Sequence, residues 1–246
     1  MKLNIEKSVT VLTPCVGTAK VADAITSVQA QTYSNIQHVI VLDGGGFYND
    51  LAKNVVPEVL PDNVILTSIP FNTGKNGFNG QRIYAAYPHL LDTDYVFFLD
   101  EDNWYEPDHV KSLVETIEEK GLDWAFSLRK IFNKNKDFVA DDNCESLGKW
   151  PIFFTHDNPQ YLIDTSAFAF KREFIKNTSH LWHSGAWGED RRYLYAVKDH
   201  SRWDTNYKHT LCYRLDGNPK SVKEDFFYHG NEEQLIKYER KLPWLI

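Results

Sequence analysis

Cysteine is scarce: Cys15, Cys144 and Cys212 are an odd number, widely scattered over 246 residues. This excludes a disulfide framework and a zinc knuckle, and it fits the reducing cytoplasm. Long apolar runs are missing too, since no stretch approaches the roughly 20 residues of a spanning helix. Met1 to Cys15 carries Lys2, Glu6 and Lys7, and its apolar run is too short for a signal h-region. The expected location is therefore cytoplasmic, at most peripheral to a membrane. Positive charge is in the minority, with 27 Lys and Arg against 34 Asp and Glu, a net charge of -7 and a pI of about 5.7. Nucleic acid and an anionic membrane surface are thereby excluded as main partners. Internal repeats and low-complexity tracts are absent. What is plentiful is apolar and aromatic: 42% hydrophobic residues and 14% aromatics, including 7 Trp and 13 Tyr. That is enough for one large core, and flat amphipathic rings suit the faces of sugars or nucleobases as well as core packing.

The chain is organised around Tyr95-Val96-Phe97-Phe98-Leu99-Asp100-Glu101-Asp102-Asn103. Five bulky apolar residues read as a buried strand, and the three carboxylates stand where it ends. In an open parallel α/β sheet ligands bind outside the carboxyl ends of the strands. Adjacent like charges are costly unless a cation neutralises them, and a hard divalent ion shared with substrate phosphates is the natural candidate. A solvated acidic turn before the helix that opens at Pro107 is the alternative.

Ser8 to Thr13 reads as the first strand, ended by Pro14, and Lys20 to Gln31 as a helix with Val21, Ala24, Ile25 and Val28 on one face and Thr18 as N-cap. Ile36 to Leu42 is a second strand, ending at Asp43 and Gly44-Gly45-Gly46, which completes a βαβ unit. These glycines follow the second strand and Asn49 is not glycine, so they are not a dinucleotide fingerprint. Asn63 to Ile69 is a third strand, followed by the polar loop Phe71 to Gly80. Gly74-Lys75 fails as a phosphate loop, because Ile69 and Asn76 stand where Gly and Ser or Thr are required. Lys75, and Arg82 at the start of the helix Gln81 to Tyr87, could meet a phosphate or a base edge. In the helix after Pro107, Val110, Leu113, Val114 and Ile117 mark one face and Gly121 the stop; Asp123 to Leu128 is a fifth strand.

Beyond Arg129 the alternation stops, which divides the chain into a nucleotide-binding half, 1–130, and a substrate half, 131–246, of one α/β domain. Asn133 to Asn158 reads as loop, Tyr161 to Phe170 as a strand with a polar centre, and Lys171 to Lys176 as a short helix. Trp187-Gly188-Glu189-Asp190 enters another helix, where the helix dipole alone would favour both acids by roughly 0.3–1 kcal/mol. His180 and His183 share a helix-like spacing without a partner motif. His209 to Leu215 is a final strand, leading through Phe226 to Asn231, including His229, to a charged C-terminal helix.

In its order of motifs the sequence resembles the family 2 type of glycosyltransferase with the GT-A fold. The resemblance rests on Val9 to Pro14, on Ser27-Val28-Gln29-Ala30-Gln31-Thr32-Tyr33, on Asp43-Gly44, on Phe98 to Asp102 and on Trp187 to Asp190. It implies a mainly parallel central sheet flanked by helices and a metal-dependent, inverting hexosyltransferase. The donor would be a nucleoside-diphosphate sugar, UDP-linked, and the acceptor a hydroxyl of a glycan or similar molecule. By resemblance Pro14, Asp43, Lys75, Arg82, Asp100, Glu101 and Asp102 belong to the nucleotide-sugar site, with Asp43 on the uracil or ribose. Asp102, Asp100 and His229 would hold Mn²⁺ or Mg²⁺, and Asp190, with Glu189 as the next candidate, would be the general base. Leu42 replaces the first of the two acids usual at the second strand's end, and only Arg82 matches the Ala-Arg-Asn seen in members of the family. The competing classes are a sugar-phosphate nucleotidylyltransferase, whose Gly-rich start Val16 to Lys20 resembles without the leading glycine, and a non-catalytic carbohydrate-binding protein.

Overall fold

The computed structural model describes residues 6–44, 60–155, 157–182, 185, 188–217 and 222–245. Gly45, Gly46, His183 and Trp187, each part of a motif above, lie outside them. The strands are β1 (Val9–Cys15), β2 (Ile36–Asp43), β3 (Val64–Ile69), β4 (Tyr95–Phe98), β5 (Trp104–Tyr105), β6 (Trp124–Phe132), β7 (Phe138–Asp141), β8 (Phe168–Lys171) and β9 (Trp203–Arg214). The helices are α1 (Val21–Gln29), α2 (Gln81–Ala86), α3 (His109–Lys120), α4 (Arg172–Thr178), α5 (Glu189–Val197) and α6 (Glu224–Lys237).

Among the described residues the nine strands form one sheet in the order β3-β2-β1-β4-β8-β6-β9-β5, with β7 paired to β6. The neighbours β3, β2, β1 and β4 are parallel, β8 is antiparallel to both β4 and β6, and β9 returns parallel to β6. The sheet is mostly parallel, and it runs without a break from the first half of the chain into the second. Strands β1 and β4 are buried at every residue, as expected for parallel strands covered on both faces. The apolar faces read from the helical period are the buried ones: Val21, Ala24, Ile25 and Val28 on α1, and Val110, Leu113, Val114 and Ile117 on α3. Gly121 ends α3 in the left-handed conformation at φ 61°, and its N–H bonds back to Glu118.

The segment Ser27 to Tyr33 ties this frame together. Gln31 at the end of α1 donates to the Glu106 carbonyl at 2.8 Å and accepts the Val110 N–H at 3.0 Å, while Thr32 N–H donates to the Pro107 carbonyl. This fixes the entry of α3 immediately after the acidic triplet.

Several local expectations are corrected. Thr18 does not cap α1 with its side chain; Lys20 is the N-cap, and the Val21 N–H donates to the Thr18 carbonyl instead. Strand β6 runs on to Phe132 and pairs with β7, inside the stretch read as loop, because hairpin pairing compensates for its polar residues. Of the segment 161–170 only the last three residues are strand, the start of β8, since Asp164 caps a 3-10 turn over Thr165–Ala167. His180 lies in the 3-10 turn Ser179–Trp182. Strand β9 starts at Trp203, where polar residues mask its period, and His229 lies within α6. Among the described residues no helix is long and apolar enough to cross a membrane.

Candidate active site

Strand β4 releases three carboxylates, and the structure separates them by giving each different partners. Asp100 accepts from the Tyr84 hydroxyl at 2.8 Å and the Ser166 hydroxyl at 3.3 Å. Glu101 turns back towards β1, where it accepts from Cys15 Sγ at 2.9 Å and from the Val16 and Thr18 N–H groups at 3.3 Å. It therefore pins the β1–α1 loop that carries Lys20, whose Nζ lies 3.7 Å from Asp102 Oδ2. Burial, followed by the charges of Asp102 and Asp164, pushes the Asp100 carboxyl up to about 7. Burial also raises Glu101 and Asp102, with Lys20 opposing the shift at Asp102.

At the end of β2, Asp43 is buried with both oxygens engaged by the following loop: Thr73 N–H at 2.6 Å and Gly74 N–H at 2.7 Å. The same loop is held by Arg82, which donates to the Thr73 carbonyl at 3.2 Å and stacks 3.5 Å over the Phe78 ring. Its far end rests on Pro14, since a Cβ added at Gly80 would stand 2.7 Å from Pro14 Cγ. Lys75 is exposed on a 3-10 turn in the middle of the loop. Asp43, Arg82 and Pro14 thus hold the loop, and Asn79, Gly80 and Gln81 at its end line a cavity.

That cavity, of about 430 Å³, joins the two halves of the chain. Tyr84 and Asp100 line it from the first half, and Arg129, Glu145, Asp164, Glu189 and Asp190 line it from the second or the seam between them. Gly188, in the left-handed conformation at φ 78°, turns the chain into α5 and presents Glu189 and Asp190 at its first turn. Asp190 accepts the Arg191 N–H at 2.7 Å, and burial, then the charge of Asp164, pushes its carboxyl up to about 7. Glu189 is more deeply buried, 3.5 Å from Arg192. Asp100 and Asp190, read from distant motifs, therefore share one cavity, which Asp43 touches only through the loop it holds.

Three residues that line the cavity, Arg129, Glu145 and Asp164, belong to no motif in the sequence. Arg129, buried on β6, donates from Nε to Asp142 at 2.7 Å, from Nη1 to Asp164 at 2.7 Å and from Nη2 to Glu145. The only hint was the polar centre of the segment containing Asp164. His229 is exposed on α6 with its ring nearly perpendicular to that of Phe153, 5.7 Å between centroids. Among the described residues no three His, Cys, Asp or Glu side chains gather in a set that could hold a metal ion.

The model of the family described as Glycosyl transferase family 2 matches residues 10–178, which includes the acidic triplet and ends before Asp190. No curated protein sequence is similar enough to count as a relative. Among solved structures, S. aureus TarS 1-349 in complex with UDP is similar with a TM-score of 0.57 and 14% identity, covering 94% of this chain and 65% of that one. TarS 1-349 in complex with UDP-GlcNAc gives 0.53 and 14%, covering 96% and 67%. The chain thus spans about two thirds of the length of those TarS chains, 65% in the first. At this identity the likeness shows the fold, which is the GT-A arrangement. The family match extends over more than half the chain and includes its central strands and acidic triplet, so the chain belongs to glycosyl transferase family 2.

Proposed function

We propose that this protein is an inverting, metal-dependent glycosyltransferase of the hexosyltransferase type, moving a sugar from a UDP-linked donor to a hydroxyl of a glycan or similar acceptor. The observation that supports this most is the shared cavity, lined by both Asp100 at the end of β4 and Asp190 at the start of α5, where burial pushes the Asp190 carboxyl up to about 7. A base poised near neutral pH suits proton removal from an attacking hydroxyl. The TarS structures are complexes with UDP and with UDP-GlcNAc, and the shared fold extends that donor class to this chain as part of the proposal.

Asp100 and Asp102 are hard oxygen donors whose like charges burial makes costly, a set that fits Mg²⁺ or Mn²⁺ completed by diphosphate oxygens. Such an ion, when bound, offsets charge developing on the departing diphosphate. The two aspartates and the diphosphate suffice for this reading, without His229. Asp190 takes the proton of the acceptor hydroxyl as that oxygen attacks opposite the leaving group, which inverts the anomeric configuration. Glu101, through the β1–α1 loop, keeps Lys20 beside Asp102.

Incubation with a panel of nucleotide sugars tests the reading. Release of free nucleoside diphosphate supports it, pyrophosphate-dependent triphosphate formation would instead identify a nucleotidylyltransferase, and binding without turnover a carbohydrate-binding protein. Asp190→Asn should lower kcat by roughly 10²–10⁴-fold while donor KM changes little. Activity within about threefold of wild type would move the base elsewhere, Glu189 being the next candidate.

A further inference from the structure

Asp164 has no role in the reading above, yet it is among the most firmly held groups in the cavity. Its Oδ2 lies 2.7 Å from Arg129 Nη1, its Oδ1 accepts the Ser166 N–H at 2.9 Å, and its own N–H donates to the Ser146 hydroxyl at 2.9 Å. Arg129 cannot swing towards a ligand without abandoning Asp142 and Glu145, so it acts as a fixed peg. One hydrogen bond per Asp164 oxygen leaves each with a further lone pair for a hydroxyl donor.

The position of Asp164 says which hydroxyls those are. Ser166, whose N–H it binds, hydrogen-bonds Asp100 through its own side chain, so Asp164 flanks the diphosphate end of the cavity. Asp164 also lines the same cavity as Asp190, so it stands on the wall of the space that Asp100 and Asp190 share. In a transfer reaction the group lying between the diphosphate and the base is the sugar being moved. Among the described residues the wall around it is acidic: Asp100, Glu145, Asp164, Glu189 and Asp190 outnumber the guanidiniums of Arg129 and Arg191, and Arg191 Nη1 already donates to Gln160 at 2.7 Å. A hydroxyl can donate to such a wall, whereas a second carboxylate brought into it meets repulsion in a low-dielectric space.

We propose that Asp164, pegged by Arg129, receives the hydroxyl groups of the transferred sugar and selects uncharged hexosyl groups over those bearing a carboxylate. This rests on the donor class proposed above.

Calorimetric titration with Mn²⁺ present, using UDP, UDP-glucose, UDP-N-acetylglucosamine, UDP-galactose and UDP-glucuronate, tests it on wild type and Asp164→Asn. In wild type the tightest neutral UDP-sugar should bind at least about tenfold more tightly than UDP-glucuronate, the scale of one lost charged hydrogen bond. In Asp164→Asn, UDP affinity should stay within about twofold, the ratio of UDP-sugar to UDP affinity should fall about tenfold, and discrimination against glucuronate should shrink to about threefold or less. UDP-glucuronate binding wild type as well as the neutral sugars would overturn the proposal without any variant. So would an Asp164→Asn protein that loses UDP and UDP-sugar affinity alike, the mark of a merely structural role, or one that loses neither. Failure of UDP itself to bind wild type would overturn the donor reading and this proposal with it.

Discussion

Oδ2 of Asp43 accepts the backbone N–H of Gly74 at 2.7 Å, across 31 residues of chain. With Oδ1 on Thr73 N–H, the carboxylate replaces the backbone partners the loop would otherwise lack. Asp43→Ala leaves both N–H groups without acceptors, at about 1–3 kcal/mol each where burial is complete. The expected outcome is a loss of about 2 kcal/mol in urea unfolding, with weaker nucleotide binding because the rim at Asn79 and Gly80 loosens. A loss below about 0.5 kcal/mol would show that the loop holds itself.

Among the described residues Arg129 is the single positive charge paired with the three buried or half-buried carboxylates it binds. Removing one partner of a buried charge network costs about 3–5 kcal/mol, so Arg129→Met should lower the melting temperature sharply at neutral pH. The deficit should narrow as the pH falls and the orphaned carboxylates protonate. A uniform deficit across pH would assign the effect to lost packing on Tyr213 instead, over which the guanidinium lies at 4.6 Å.

The raised Asp190 carboxyl has opposite consequences for rate and stability. As a base it works only when ionised, so kcat/KM should climb with pH through about 7 and level off above it. For stability, the folded state holds this proton more tightly than the unfolded chain does, so it binds more protons between the usual carboxylate range and about 7. Stability from this group is therefore present at low pH and lost as pH rises through that window. Asp190→Asn should accordingly be more stable than wild type at pH 8, with the difference gone near pH 4. Because Asp190 still reaches solvent through the cavity, a gain of about 1 kcal/mol is expected. A variant less stable at pH 8 would mean that the carboxylate chiefly supports the start of α5.

If Asp102 helps to bind a divalent ion, uridine diphosphate should bind more than about tenfold more weakly with chelator than with Mn²⁺ or Mg²⁺. Asp102→Ala should bind equally with and without metal. Equal wild-type affinity in the two conditions would leave Lys20, 3.7 Å from Asp102, as the charge that meets the diphosphate.

The sequence by itself determined the frame. Hydrophobic period revealed the buried faces of α1 and α3, apolar runs marked β1, β2 and β4, and the left-handed turn at Gly121 was legible because glycine pays no steric penalty there. The order of motifs singled out Asp43, Asp100 and Asp190, because side chains at strand ends and helix starts inherit their placement from backbone geometry. Tertiary structure alone decided what those side chains touch. It gave both Asp43 oxygens to a loop, sent Glu101 back to β1 and Cys15, and set Arg129 among Asp142, Glu145 and Asp164, up to 35 residues away. No periodicity records such partners, because a hydrogen bond between distant segments depends on how strands are ordered in space. The antiparallel β8 entering between β4 and β6 is what carries Asp164 and Ser166 to the end of β4, and so completes the cavity.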